Sequence, residues 1–389
     1  MLIRNGLVFT GEGKFAQLDV VTDGDLIGAL LPPGTADTTN QTVVDATGCY
    51  VIPGLTDIHF HGCDGFDFCD DSLEACEHLA SFELQHGVTS ICPATMTFSA
   101  DKLRSICQTA GAFRDKQHLN PALEQADLIG VHMEGPFISP AKKGAQNEAF
   151  IQKPDRTLVR RFLSDSKGLV KLISLAPERD GAIACIAECK DEVAFSIAHT
   201  EANYATAMAA LQAGANHVTH TFNAMPPFHH RDSGVIGAAF DQADCFAELI
   251  CDGIHISAPV VRAAFRLFAG RIILISDSMR AAGKPDGTYT LGGLEVTVHG
   301  QYATLANGTL AGSVTPLYEC MRTAVSMGIP LEDAVTAATI TPCRSIGMDG
   351  QYGSLEPGKK AHLLLLDQQT LDIRQIIKGS VQLPLSALH

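Results

Sequence analysis

Basic charge is scarce in this chain. Lys and Arg total 28 against 43 Asp and Glu, a formal net charge of -15. A surface this negative repels phosphate backbones and anionic lipid, so nucleic-acid or membrane-surface binding is not expected as the main task. Long apolar runs are also missing: none reaches the roughly 18 residues that cross a bilayer. The first residues, Met1 to Gly6, have no basic region followed by an apolar stretch and a cleavage site, so they read as a strand rather than a secretory signal. No CxxC occurs among the twelve cysteines, and Cys185 and Cys189 are the closest pair. In a chain of this length the pattern fits reduced, buried thiols and a cytoplasmic location. Neither repeats nor low-complexity tracts stand out.

Apolar substance, by contrast, is plentiful. Hydrophobic residues make up 46% and charged residues 18% of 389 residues, enough to bury a large core and to exclude intrinsic disorder. The first fifty residues read as short strands at 2–10, 19–31 and 42–52, separated by turn signals at Gly11, Gly24 and Pro32-Pro33-Gly34. The tail is similar, with strand-like runs at 361–366, 371–377 and 380–383. The economical reading is one small β-sandwich domain made from both ends, 1–53 and 350–389.

The middle, 54–349, alternates strand and helix. Eight short apolar runs lie at 55–61, 88–95, 128–134, 169–176, 194–200, 217–223, 247–252 and 271–277. Helix-like segments lie between most of them, as at 71–86, 100–114, 201–213 and 258–268. The link after Asn223 reads as a long loop. Eight strand–helix units predict an α/β fold, a closed (β/α)8 TIM-like barrel. Nearly every run ends in a polar residue: His59 and His61, Glu134, His199, His220, Asp252, Asp277. Barrel active sites lie at the carboxyl ends of the strands, so these groups should converge on one pocket.

The chemistry follows from the residue types. His59 and His61, at i and i+2, share one face of a strand and suit a divalent metal. Glu134 precedes Gly135-Pro136 at a strand end. His132 shares its face, as a ligand or as a partner that orients one. Glu134, His199 and His220 make a two-His-one-carboxylate set with an open position for water. Asp277 faces the same pocket as the candidate general base, able to take a proton from water activated by the metal. His229-His230-Arg231 is a basic run that reads equally as a solvated loop or as a contact for an anion.

With these residues in place, the sequence resembles the amidohydrolase superfamily and, within it, the N-acetylglucosamine-6-phosphate deacetylases. The matching stretches include PGLTDIHFHGCDG at 53–65, HMEGPFISPAKKGA at 132–145, AHTEA at 198–202, THTFNAMPPFHHRDSGVIGAA at 219–239, ICDGIHISAP at 250–259 and ISDSMRAAGKPDGTYTLGG at 275–293. The resemblance covers essentially the whole chain. It implies that Glu134, His199 and His220 bind a main metal and that His59 and His61 allow a second. The ion would be zinc, with iron, manganese or cobalt also suited to these ligands. It further implies that Asp277 activates water and protonates the leaving amine, and that His255 hydrogen-bonds the sugar. Asn223 and Ala224 would bind the 6-phosphate largely through backbone N–H groups. Arg231 would complete that site from the partner subunit of a homodimer. The substrate would be a small sugar phosphate, N-acetylglucosamine 6-phosphate, hydrolysed to glucosamine 6-phosphate and acetate.

One departure stands out. The family's loop after EGP usually reads KKGAH, with the His near the acyl group of the substrate. Here the segment after Lys142-Lys143-Gly144 is Ala145-Gln146. Gln146 can donate a hydrogen bond but carries no positive charge. The nearest alternative is the same reaction on N-acetylgalactosamine 6-phosphate, which would use the same catalytic set. A dihydroorotase type needs a Lys at the end of strand 4, where Ile173-Ser174-Leu175-Ala176 stands. A deaminase would lack Glu134 as a ligand and carry an acid just after the strand-5 histidine; Glu201 lies near that position. A non-catalytic binding protein on this fold should have lost ligands, yet every ligand position is filled.

Overall fold

The computed structural model describes residues 1–37, 39, 41–120 and 123–383. The end of the expected terminal domain, 384–389, lies outside the described residues. The centre is a TIM-like barrel. Its eight strands are β1 (Leu55–Asp57), β2 (Val88–Ile91), β3 (Val131–Phe137), β4 (Val170–Leu175), β5 (Ala194–Ile197), β6 (His217–Val218), β7 (Phe246–Ile250) and β8 (Ile272–Ile275). From β3 to β8 each strand pairs in parallel with the next, and β1 pairs in parallel with β2. Two short segments bridge β2 and β3: Ala94–Thr95 pairs with β3, and Asp127–Leu128 pairs with β2. Past the strand ends, the β8–β1 seam is closed by Asp277 N–H donating to the His59 carbonyl at 2.9 Å and His61 N–H to the Ser278 carbonyl at 2.7 Å. Beneath them Ser276 Oγ donates to Asp57 Oδ2 at 2.5 Å.

These runs become strands because they are buried on both faces, as parallel barrel strands must be; all four residues of β8 are buried. The helices between them start where side chains can cap them. Ser72 caps Leu73–Gln85, Ser99 caps Ala100–Leu119, and Asn203 caps Tyr204–Ala213, each accepting a backbone N–H of the first turn.

Both chain ends join in sheets outside the barrel. A six-stranded sheet combines Leu7–Phe9, Phe15–Gln17 and Cys49–Pro53 with His362–Asp367, Ile373–Lys378 and Val381–Leu383. A four-stranded sheet holds Leu2–Arg4, Asp19–Asp23, Leu26–Leu31 and Val43–Asp45. Ile3, Val20 and Ile27 of the smaller sheet share one apolar cluster with Val51, Leu363 and Ile377 of the larger.

Several elements are shorter than their sequence patterns. The run at 2–10 breaks at Asn5, whose φ of 68° ends the extended chain, and 19–31 folds into a hairpin at Gly24, φ 57°. The runs at 55–61, 194–200 and 217–223 stop pairing at Asp57, Ile197 and Val218. The link after Asn223 is not all loop, since it contains the helix Gly234–Asp241. Between β8 and the tail lie a three-stranded antiparallel sheet (Gly287–Leu291, Leu294–His299, Tyr302–Thr304) and the helices Leu317–Ser326, Leu331–Ala338 and Ile340–Ser345. The sequence pattern did not resolve any of these.

Candidate active site

Shortened strands change how the site side chains are aimed. His59 and His61 do not project from a paired strand; they follow β1 in the seam, with their rings edge to face at 5.5 Å. His199, His220 and Asp277 each lie two residues beyond their strands, with φ of 43°, 31° and 48°. Left-handed backbone at a residue with a side chain costs on the order of 1–3 kcal/mol and persists only where surroundings impose it. Here they do. Ser139 N–H holds the His199 carbonyl at 2.9 Å, Asn223 N–H holds the His220 carbonyl at 2.9 Å, and Asp277 is bonded to His59.

These bends bring the predicted donors together. Glu134 Oε1 stands 3.0 Å from both His199 Nε2 and His220 Nε2, which are 3.1 Å from each other. Across the carboxylate, His61 Nε2 lies 3.4 Å from Glu134 Oε2 and 3.3 Å from Asp277 Oδ1. His59 Nε2 lies 3.6 Å from Glu134 Oε1 and from Asp277 Oδ1. All six residues are buried. Two ligand groups share Glu134: Glu134, His199 and His220 on one side, His59, His61 and Glu134 on the other.

A cation fits these donors. His199 Nδ1 gives its proton to the Lys142 carbonyl at 2.8 Å, which leaves Nε2 with a lone pair aimed at a carboxylate oxygen. His59 Nε2 is buried and has no hydrogen-bond partner among the described residues. Acceptors this close repel one another unless a positive charge lies between them, and a divalent cation supplies it.

Electrostatics agree with this assignment. Burial pushes the Glu134 carboxyl up, but with no cation bound protonated His199, His220 and His59 outweigh it and hold the group well below the usual carboxylate range, a positive charge that a bound cation would supply in place of those protons. Burial likewise opposes ionisation of Asp277, but His61 and His59 keep its carboxyl below its ordinary value. Asp277 is therefore a carboxylate able to accept a proton. Burial and the neighbouring His59 press His132 down to about 3, so this imidazole stays neutral. It bonds to the Ile58 carbonyl and to Ser174 Oγ, and so acts as a partner rather than a ligand.

A cavity of about 370 Å³ opens above the cluster. Its wall includes Ala145, Gln146, Asn223, Ala224, His255 and Asp277, all predicted site residues. His255 is aimed by Asp252, whose Oδ2 takes Nδ1 at 2.7 Å while Oδ1 accepts the N–H of Ile254 and His255. Asn223 N–H and Nδ2 both reach the His220 carbonyl to close the turn, next to Ala224 held at φ 50°. Arg231 is exposed on the loop before Gly234–Asp241 and does not line this cavity. Glu201 is exposed, its N–H bonded to Glu178, outside the donor cluster.

Sequence reasoning missed Glu248 and His217. Glu248 Oε2 accepts from His59 Nδ1 at 2.8 Å and from His220 N–H at 3.2 Å. The signal was present: one acid within the apolar run FAELI marks a buried carboxylate that needs partners.

The Amidohydrolase family model matches residues 50–384. The chain is 34% identical over 383 residues to the N-acetylglucosamine-6-phosphate deacetylase of Bacillus subtilis, covering 98% of this chain and 93% of that one. It is 33% identical over 334 residues to the N-acetylgalactosamine-6-phosphate deacetylase of Escherichia coli O157:H7, covering 85% and 87%. Its fold superposes with a TM-score of 0.89 on an aspartate-to-alanine mutant of the Mycobacterium smegmatis N-acetyl-D-glucosamine-6-phosphate deacetylase in complex with N-acetyl-D-glucosamine-6-phosphate. That structure is 28% identical, and 98% of each chain is covered.

Proposed function

The chain belongs to the amidohydrolase family, among its N-acetylglucosamine-6-phosphate deacetylases, and from that we propose that it hydrolyses N-acetylglucosamine 6-phosphate to glucosamine 6-phosphate and acetate. The observation that carries this reading is the sharing of Glu134 Oε1 by two imidazoles at 3.0 Å, with an ionised Asp277 on the wall of the same cavity.

Glu134, His199 and His220 would hold one divalent cation, zinc in our reading, and His59 and His61 with Glu134 a second. When bound, the metal supplies Lewis acidity to a carbonyl oxygen and acidifies water. Asp277 does the proton work: its carboxylate takes a proton from the attacking water as the oxygen bonds to the acyl carbon. The same group returns that proton to the amine nitrogen as the C–N bond breaks, so Asp277 ends as it began. His255, fixed by Asp252, hydrogen-bonds the sugar. The Asn223-Ala224 turn receives the 6-phosphate through Ala224 N–H, and Arg231 reaches that phosphate from the partner subunit of a homodimer. Gln146 and Ala145 form the wall beside the acyl group.

We also assign the terminal sheets to one β-sandwich domain, 1–53 and 350–389, beside a catalytic barrel of 54–349. We place the enzyme in the cytoplasm, supported by twelve free and buried cysteines; no helix of the described residues is long and apolar enough to cross a membrane. Acetate release by purified, metal-analysed protein tests the reading. Four substrates are needed: N-acetylglucosamine and N-acetylgalactosamine, each with and without the 6-phosphate. Release from N-acetylglucosamine 6-phosphate is expected; faster release from N-acetylgalactosamine 6-phosphate would move the substrate assignment, and release from neither would overturn the function.

A further inference from the structure

A carboxylate at the centre of a barrel strand is costly unless its oxygens are matched, so the partners of Glu248 say what it is for. It is fully buried between Ala247 and Leu249. Oε2 is bonded to His59 Nδ1 and to the backbone N–H of His220. Oε1 lies 3.0 Å from His217 Nε2. Two of these three contacts are to residues assigned above as metal ligands.

A carboxylate only accepts hydrogen bonds, so Nδ1 of His59 carries the proton and Nε2 the lone pair. That lone pair is the one left without a partner, facing Glu134 and Asp277. His59, His132 and Glu248 also cluster closely enough to suggest a further cation site. Both nitrogens of His132 are occupied, however, by the Ile58 carbonyl and Ser174 Oγ, so this group forms a supporting layer.

We propose that Glu248 is a positioning residue for the cation site of His59, His61 and Glu134. It fixes the tautomer and ring plane of His59 and ties that ring to the backbone of His220, while its other oxygen faces His217 Nε2 without a hydrogen bond. The inference rests on the reading of His59 as a ligand.

The test compares wild type, E248A, E248Q, E248D and H59N, each stripped of metal and titrated with Zn²⁺ and Co²⁺. Stoichiometry, affinity and the Co²⁺ visible spectrum are recorded together with thermal unfolding. Wild type should take up two ions, and H59N should lose one. E248A should weaken that same ion by about 10–100-fold and shift the Co²⁺ bands, the usual effect of removing a carboxylate behind a ligating His. E248Q, whose amide oxygen still accepts from Nδ1, should recover most of the affinity; should E248A not fold, E248D, with its oxygens drawn back, serves in its place. If H59N loses an ion while E248A or E248D binds as wild type, the role of Glu248 is wrong. Equal losses in E248Q and E248A also overturn it, because then charge or packing matters rather than the accepting oxygen. If H59N binds as wild type, the assignment of His59 as a ligand fails first.

Discussion

Gln146 donates its side-chain amide N–H to Oε2 of Glu134, and its own Oε1 accepts the N–H of Thr97 at 2.7 Å. The residue that departs from the family pattern is thus tied at both ends. Its amide is directed at the carboxylate that we propose as a cation ligand, and would turn Oε1 of Glu134 towards His199 and His220.

Replacing Gln146 by Ala removes this restraint without removing a ligand. Cation affinity is expected to fall by about 10–100-fold, the range for groups that orient metal ligands. Equilibrium dialysis against a metal buffer checks this, and affinity equal to wild type would show that Glu134 is held by other contacts.

For Asp277→Asn the expectation is different. The amide keeps the shape of the carboxylate but cannot take a proton, so turnover should fall by about 10²–10⁴-fold, the worth of a general base. Metal content and thermal midpoint should stay near those of wild type. A variant that keeps full acetate release would refute the proton role.

How far the sequence could be read depends on what each residue's neighbours are. The barrel was legible because a strand buried on both faces must be an apolar run, and a polar residue closing such a run must sit at the mouth. That logic found Glu134, His199, His220 and Asp277. It could not find the bends that aim them: His220 was assigned to the end of a strand, but β6 stops at Val218 and a left-handed residue does the aiming. Nor could it pair Gln146 with Glu134 or Glu248 with His59. An amide or a buried acid announces a need for partners, whereas the partner 12 or 189 residues away is set by the closed barrel and its loops.

Arg231 gives a test that reads subunit arrangement and phosphate recognition together. Arg231→Ala should raise KM for the phosphorylated substrate by about tenfold or more, since a charge-assisted hydrogen bond is worth about 1.5–3 kcal/mol. KM for the free sugar should not change. If the residue acts across a dimer, mixing R231A with D277N restores one sound site per mixed dimer: the R231A subunit keeps Asp277 and receives Arg231 from its partner. If it acts within its own chain, every mixed dimer lacks a sound site. Activity of the mixture above the average of the two parents decides for the first arrangement.

The contact between the barrel and the terminal sheets should make stability depend on pH. Asp127, just before β3, pairs with Lys378 Nζ at 2.7 Å, accepts from Tyr352 OH at 3.1 Å and lies 3.7 Å from His362 Nε2. Burial presses His362 down to about 4, so the folded chain keeps it neutral where the unfolded chain protonates it near the ordinary histidine value of about 6.5. Between those values the unfolded state binds the extra proton, and stability must rise with pH. The contribution of His362 is therefore complete above about pH 6.5 and is lost as pH falls to about 4, an effect on the order of 3 kcal/mol. Asp127 acts in the same sense at lower pH. Burial opposes its charge, but His362 and Lys378 hold its carboxyl below the usual range, so its contribution disappears as it is protonated. Urea unfolding of wild type and His362→Gln at pH 7 and pH 4.5 measures the difference. The wild type should lose more stability than the variant on acidification; equal losses would show that His362 titrates alike in the folded and unfolded chains.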